Sequence, residues 1–104
     1  MKITLKKSVQ VDEEVEVEFP LFRHHADGTE GWWYDYFVRI NEDGRTLALK
    51  KTSRGRVVET EVEVSNTDIK TGLSYYLNSY DAITAEAFAR ELRDFQEAIA
   101  AINK

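Results

Sequence analysis

His24 and His25 are the chain's only two histidines, and the search for chemistry starts there. They stand in FPLFRHHADGTEGWWYDYF, residues 19–37, beside Asp27, Glu30 and both tryptophans. Imidazoles next to carboxylates raise zinc, which takes about four ligands in a structural site. Neighbours on an extended chain project to opposite faces, however, so one ion does not take both histidines. Asp27 and Glu30 complete a set only if the segment folds back on itself. No metal and no cofactor are therefore expected, and His24 and His25 read as loop residues that could form a pH-sensitive contact, as imidazole does near neutrality.

Other catalytic constellations are missing. The chain has no cysteine, so thiolate nucleophiles and disulfides are excluded. Gly28, Gly31, Gly44, Gly55 and Gly72 are scattered and form no phosphate loop, and no G-x-S-x-G elbow occurs. Carboxylates are plentiful but lie in regular alternating rows. The expectation is a non-enzymatic protein with no catalytic residues.

Two sets of binding residues stand out. Trp32-Trp33-Tyr34 is dense in the residue types that dominate interface hot spots. Because strand neighbours face opposite ways, one of the two tryptophans must look away from the core its neighbour enters. With Phe22, His24 and His25 these rings form a candidate partner-binding set: Phe22, His24, His25, Trp32, Trp33 and Tyr34. Lys50, Lys51, Arg54 and Arg56 surround a turn and form the alternative, an anion-binding set for nucleic acid or phosphate. The net charge of −5 argues against a polyanion as the main ligand. A third alternative is a small-ligand or hydrolytic domain using a histidine.

The elements that must position these residues follow from periodicity. Alternation predicts strands at about 2–9, 13–19, 32–41, 45–52, 56–64 and 73–78, with residues 20–31 a loop hinged by Gly28 and Gly31. Glu14, Glu16 and Glu18 alternate with Val15, Val17 and Phe19, and Glu59, Glu61 and Glu63 alternate with Val58, Thr60, Val62 and Val64. Those rows are expected to be separated, or interleaved with a basic strand such as 2–7. Asn41-Glu42-Asp43-Gly44 permits two hairpin registers. A type I turn with a glycine bulge, pairing Phe37 with Leu49 and Asp35 with Lys51, is favoured over a shift of one residue. Phe88, Leu92, Phe95, Ile99 and Ile102 make one helical stripe over 85–102, with Thr84 as N-cap and Ile83–Phe88 as hydrophobic staple.

The fold expected is a single α+β domain, 1–104. It is a five- or six-stranded antiparallel, meander-like sheet with one C-terminal amphipathic helix packed on it. This element order resembles PH-like and other small α+β modules, and carries no motif of theirs. MKITLKKSVQ lacks the apolar run of a secretory signal, no stretch is apolar enough to cross a bilayer, and small size without cysteine suggests a cytoplasmic protein of a bacterium or phage. The function expected is a small acidic protein-binding module. An aromatic loop anchors a protein partner, acidic strand faces steer it, and a homodimer is the mildest form of that contact.

Overall fold

A computed structural model describes the backbone of residues 2–7 and 11–102 and the side chains of residues 2 and 16–102. Residues 8 and 9 of the expected first strand, and the expected facing of Val15 and Glu14, lie outside those limits. The elements run β1 (Lys2–Lys7), β2 (Val11–Glu16), β3 (Leu21–Thr29), β4 (Trp32–Ile40), β5 (Arg45–Arg54), β6 (Val57–Asn66), α1 (Leu73–Ser79), β7 (Asp81–Ala82) and α2 (Ala85–Ile102). Strands β3 to β7 form one antiparallel sheet in the order β6-β5-β4-β3-β7, and α2 packs on it. Strands β1 and β2 stand apart as a hairpin and do not join that sheet. Among the described residues no helix is long and apolar enough to cross a membrane.

Three expectations are corrected. The strand expected at 13–19 runs over Val11–Glu16, so Val17 and Phe19 lie beyond it and join the core from the segment that leads to β3. Residues 21–29 are a strand, not a loop. Leu21 pairs with Ile40 and so on to Thr29 with Trp32, closed by the tight turn Glu30-Gly31 with Gly31 at φ 81°. The polar letters of RHHADGT hide their period because both faces of the strand are covered, and Gly28 reads as a breaker. Its true role is spatial. A Cβ there would lie 2.6 Å from both the Trp32 carbonyl oxygen and Cε3 of the Trp33 indole, so glycine leaves room for the ring that lies over it. Residues 73–79 are helix, not strand. Leu73, Tyr76, Leu77 and Tyr80 recur at helical spacing and pack together on the sheet, a rhythm masked by the strand preference of Tyr75-Tyr76.

The bulged register holds. The Asn41 N–H bonds the Arg45 carbonyl at 2.9 Å, the Gly44 N–H bonds the Asn41 carbonyl at 2.9 Å, and Phe37 sits opposite Leu49. That register gives the sheet two distinct faces. On one, α1 covers Leu21, Val38, Ile40 and Ala48, with Val17 and Leu73 closing the core. On the other, α2 places Phe88 and Phe95 against Leu49, with Phe22, Phe37 and Leu47 around them. The α2 start is as the sequence predicts. The Thr84 hydroxyl accepts the Ala87 N–H at 3.0 Å, and Ile83 joins Phe88 in the same cluster. The acidic rows also separate. β2 pairs with the basic β1, setting Lys2 opposite Glu16, while β6 pairs with β5, setting Lys50 opposite Glu61.

Gly44 fixes the register twice over. Its φ is +91°, and a Cβ there would meet the Thr67 carbonyl oxygen at 2.5 Å. Its own carbonyl accepts the Thr67 N–H at 2.7 Å, so the loop after β6 is tied to this turn. Gly44→Ala is expected to lower stability by about 1–3 kcal/mol, read as a lower denaturant midpoint. The same change at Val58, which is 56% exposed, should move it by about 0.5 kcal/mol or less.

Candidate functional site

The alternation of β4 sorts its rings. Trp32, Tyr34 and Tyr36 point to the α1 face with Val38 and Ile40, and Trp33, Asp35 and Phe37 point to the α2 face. In β3, His25 goes to the α1 face and His24 to the α2 face, because each follows its cross-strand partner, Tyr36 or Phe37. The histidine pair therefore diverges across the sheet, as its adjacency requires.

On the α1 face the rings enclose an open cleft of about 450 Å³. Small-molecule sites occupy roughly 300–1,000 Å³. Tyr34, Tyr36 and Thr52 line it from the sheet, Trp32 from its far end, His25, Tyr75 and Tyr80 from one side, and Lys50 and Arg54 from the other. The rings support one another. His25 stacks on Tyr80 with centroids 5.2 Å apart, Trp32 meets Tyr34 edge-on at 5.0 Å, and Tyr75 meets Tyr80 at 5.6 Å. Such pairs are each worth about 0.5–1.5 kcal/mol beyond the area they bury. The cleft is thus an aromatic surface whose rings pack on one another. Among the described residues neither Lys50 nor Arg54 makes an ion pair, although Lys50 stands opposite Glu61 across the β5–β6 ladder.

The α2 face carries a different group. The Trp33 Nε1–H donates to Asp35 Oδ2 at 3.2 Å, and Asp35 Oδ1 lies 3.0 Å from His24 Nε2. His24 stacks on Phe37 with centroids 4.5 Å apart. This chain of contacts holds the rings in place. Phe22 packs on Phe88 of α2, centroids 5.5 Å apart, as part of the core beneath the helix. Near the end of β3 the Asp27 carboxylate accepts the Gly28 N–H at 2.7 Å. No group of three or more histidine or acidic side chains able to hold a metal ion occurs among the described residues.

The candidate sets are therefore redistributed. Of the partner-binding set, His25, Trp32 and Tyr34 share the cleft, while Phe22, His24 and Trp33 lie on the opposite face. Of the anion-binding set, Lys50 and Arg54 enter the cleft, Lys51 faces the other way opposite Asp35, and Arg56 sits in the β5–β6 turn. Sequence reasoning missed Tyr36, Tyr75 and Tyr80. The signal for the last two was the helical spacing of Leu73, Tyr76, Leu77 and Tyr80. The exposed tryptophan is Trp33, at 50%, with Gly28 beneath it; Trp32 is half-buried.

No protein-family model, curated protein or solved structure matches this chain.

Burial raises the phenol of Tyr80 above the ordinary tyrosine range, helped by the neighbouring Tyr75. Burial and the Glu63 carboxylate, which accepts the Tyr36 hydroxyl at 3.3 Å, raise that of Tyr36. An acid raised by folding loses protons first in the unfolded chain. The contribution of both phenols is therefore complete below about pH 10, the ordinary tyrosine value, and declines as pH rises above it. A titration of tyrosinate absorbance is expected to show a late-ionising component from Tyr36 and Tyr80, which Tyr80→Phe reduces.

Proposed function

We propose that this protein is a non-enzymatic binding module and that the cleft on the α1 face receives a short segment of a protein partner. The observation that carries this reading is the convergence of Trp32, Tyr34, Tyr75 and Tyr80 with Arg54 and Lys50 around one concavity. Tryptophan, tyrosine and arginine are the residue types enriched at interface hot spots, and pre-packed rings cost little entropy on binding. A flat ring on the partner stacks on Tyr34 or Trp32, and an acidic side chain beside it reaches Lys50 and Arg54.

Cation placement argues for a compact ligand over a polynucleotide. Single-stranded nucleic acid needs a positive groove that tracks successive phosphates. Here Lys51 and Arg56 depart from Lys50 and Arg54, and Glu59 and Glu61 border the same cations. A mononucleotide, with one ring and one phosphate, is the second reading, favoured by the unpaired state of Lys50 and Arg54.

One titration separates them. With Trp33→Phe the single remaining tryptophan, Trp32, reports from the cleft. Short peptides carrying Asp or Glu next to Tyr or Trp are expected to change its fluorescence, and adenosine monophosphate to change it weakly. Trp32→Ala, followed by calorimetry, should cost about thirtyfold in peptide affinity, and Trp33→Ala less than about twofold. Saturation by the nucleotide alone would select the second reading. Unchanged peptide affinity in Trp32→Ala would end the assignment of the cleft as the binding surface.

A further inference from the structure

β6 is the edge strand of the sheet, and all ten of its residues are exposed. Edges of this length are normally shortened, bulged or covered, because their unpaired N–H and C=O groups template another strand. Here the α2 face of the edge carries Val58, Val62 and Val64, exposed at 56%, 43% and 78%. The α1 face carries Glu59, Glu61 and Glu63. The helix repeats the shortfall. α2 enters beside β3, where the Ile83 N–H bonds the Phe22 carbonyl at 3.3 Å, and goes on to contact β4 and β5. It buries Phe88 and Phe95, yet Ile99 and Ile102, next on the same stripe, are 46% and 82% exposed. The β6 edge and the C-terminal turns of α2 thus both leave apolar side chains uncovered.

We propose that β6 is a strand-addition site for an extended protein segment in which basic residues alternate with apolar ones. Main-chain pairing to an open edge supplies affinity, and alternate side chains supply specificity. The charge pattern names the occupant. Directly opposed residues in an antiparallel pair face the same side, so the incoming strand must meet Glu59, Glu61 and Glu63 on one face and the valines on the other. Lysine or arginine on the first face and β-branched or other apolar residues on the second complete both. β5 already satisfies β6 this way from the inner side, with Lys50 opposite Glu61 and Leu49 opposite Val62.

The same parity disfavours a second copy of this chain. Two-fold antiparallel pairing of β6 with itself keeps the faces aligned. A register centred on Glu61 sets Glu61 against Glu61 and Glu59 against Glu63, and shifts by two residues still oppose glutamates. Like charges directly opposite are destabilising, so the row guards the edge against self-pairing while leaving it open to a basic strand. This site stands on the edge and the helix overhang, and does not rest on what the cleft binds.

The test uses the full chain and three peptides of ten residues, the length of β6: one alternating lysine and valine, one of the same composition scrambled, and one alternating glutamate and valine. The alternating lysine–valine peptide is expected to bind about tenfold tighter than the scrambled one, to weaken with salt, and to slow amide hydrogen exchange along β6. Replacing the acidic row by E59K, E61K and E63K together should invert the preference toward the glutamate–valine peptide. Equal binding of alternating and scrambled peptides, or exchange protection confined to the cleft, overturns the proposal. So does sedimentation that shows the peptide-free protein to be a dimer blocking β6. Should the reversed variant not fold, the wild-type peptide comparison and its exchange map decide alone.

Discussion

Everything in this molecule depends on the side-chain parity of β4. A strand presents successive residues to opposite faces, and one residue of slip exchanges the faces. β4 is covered on both sides, so each alternate set of its side chains enters a different core. Val38 and Ile40 enter the core under α1, and Phe37 enters the core under α2. The bulge at Glu42-Asp43-Gly44 sets which set goes where. Had β5 returned through the tighter loop, Leu49 would have faced α1, and Ala48 and Lys50 would have lain under the phenylalanines of α2. The register thus places a charge in the open cleft and a leucine in the closed core, and the core in turn holds the cleft's rings to one side.

The parts legible in the sequence are those where one residue type decides the outcome. Thr84 before an apolar stripe gave the start of α2, and Asn41 to Gly44 gave the bulged turn. Clean Val–Glu alternation gave β6. The α+β architecture, an antiparallel sheet carrying a C-terminal helix, followed from these. What resisted reading was governed by tertiary cover. β3 is a strand with a polar sequence whose His24 finds its partner, Asp35, on the neighbouring strand β4, and whose glycine serves a neighbour's ring. α1 owes its helix to the anchoring of Leu73, fully buried, against local preferences that point to a strand. The cleft could not be read because one of its sides belongs to that helix.

The division of the candidate residues has one cause as well. His24-His25 and Trp32-Trp33 are each adjacent in sequence and each split by the sheet. Adjacency therefore made one group of residues that the pleat assigns to two surfaces. Conversely, Lys50 and Trp32 are distant in sequence, yet both line the cleft. Spacing by two along β4 and β5 was the informative period: Trp32, Tyr34 and Tyr36 on one strand, and Lys50, Thr52 and Arg54 on the next, are the residues that meet.

The cleft and the open edge are not electrically independent. Lys50 lies opposite Glu61 and Thr52 opposite Glu59 across the β5–β6 ladder, and these side chains share one groove. In the free protein the glutamates offset the cations that face the cleft. A basic strand added to β6 would draw on the same glutamates from the outer side and leave Lys50 and Arg54 a larger share of their field. Such coupling between sites is reciprocal by linkage, so an anion held at Lys50 and Arg54 would in turn leave Glu59 and Glu61 more available to the edge. The acidic row on β6 would act on both surfaces: like charges opposite one another disfavour self-pairing at this edge, a basic strand would be drawn to it, and the same glutamates lie beside the cations of the cleft.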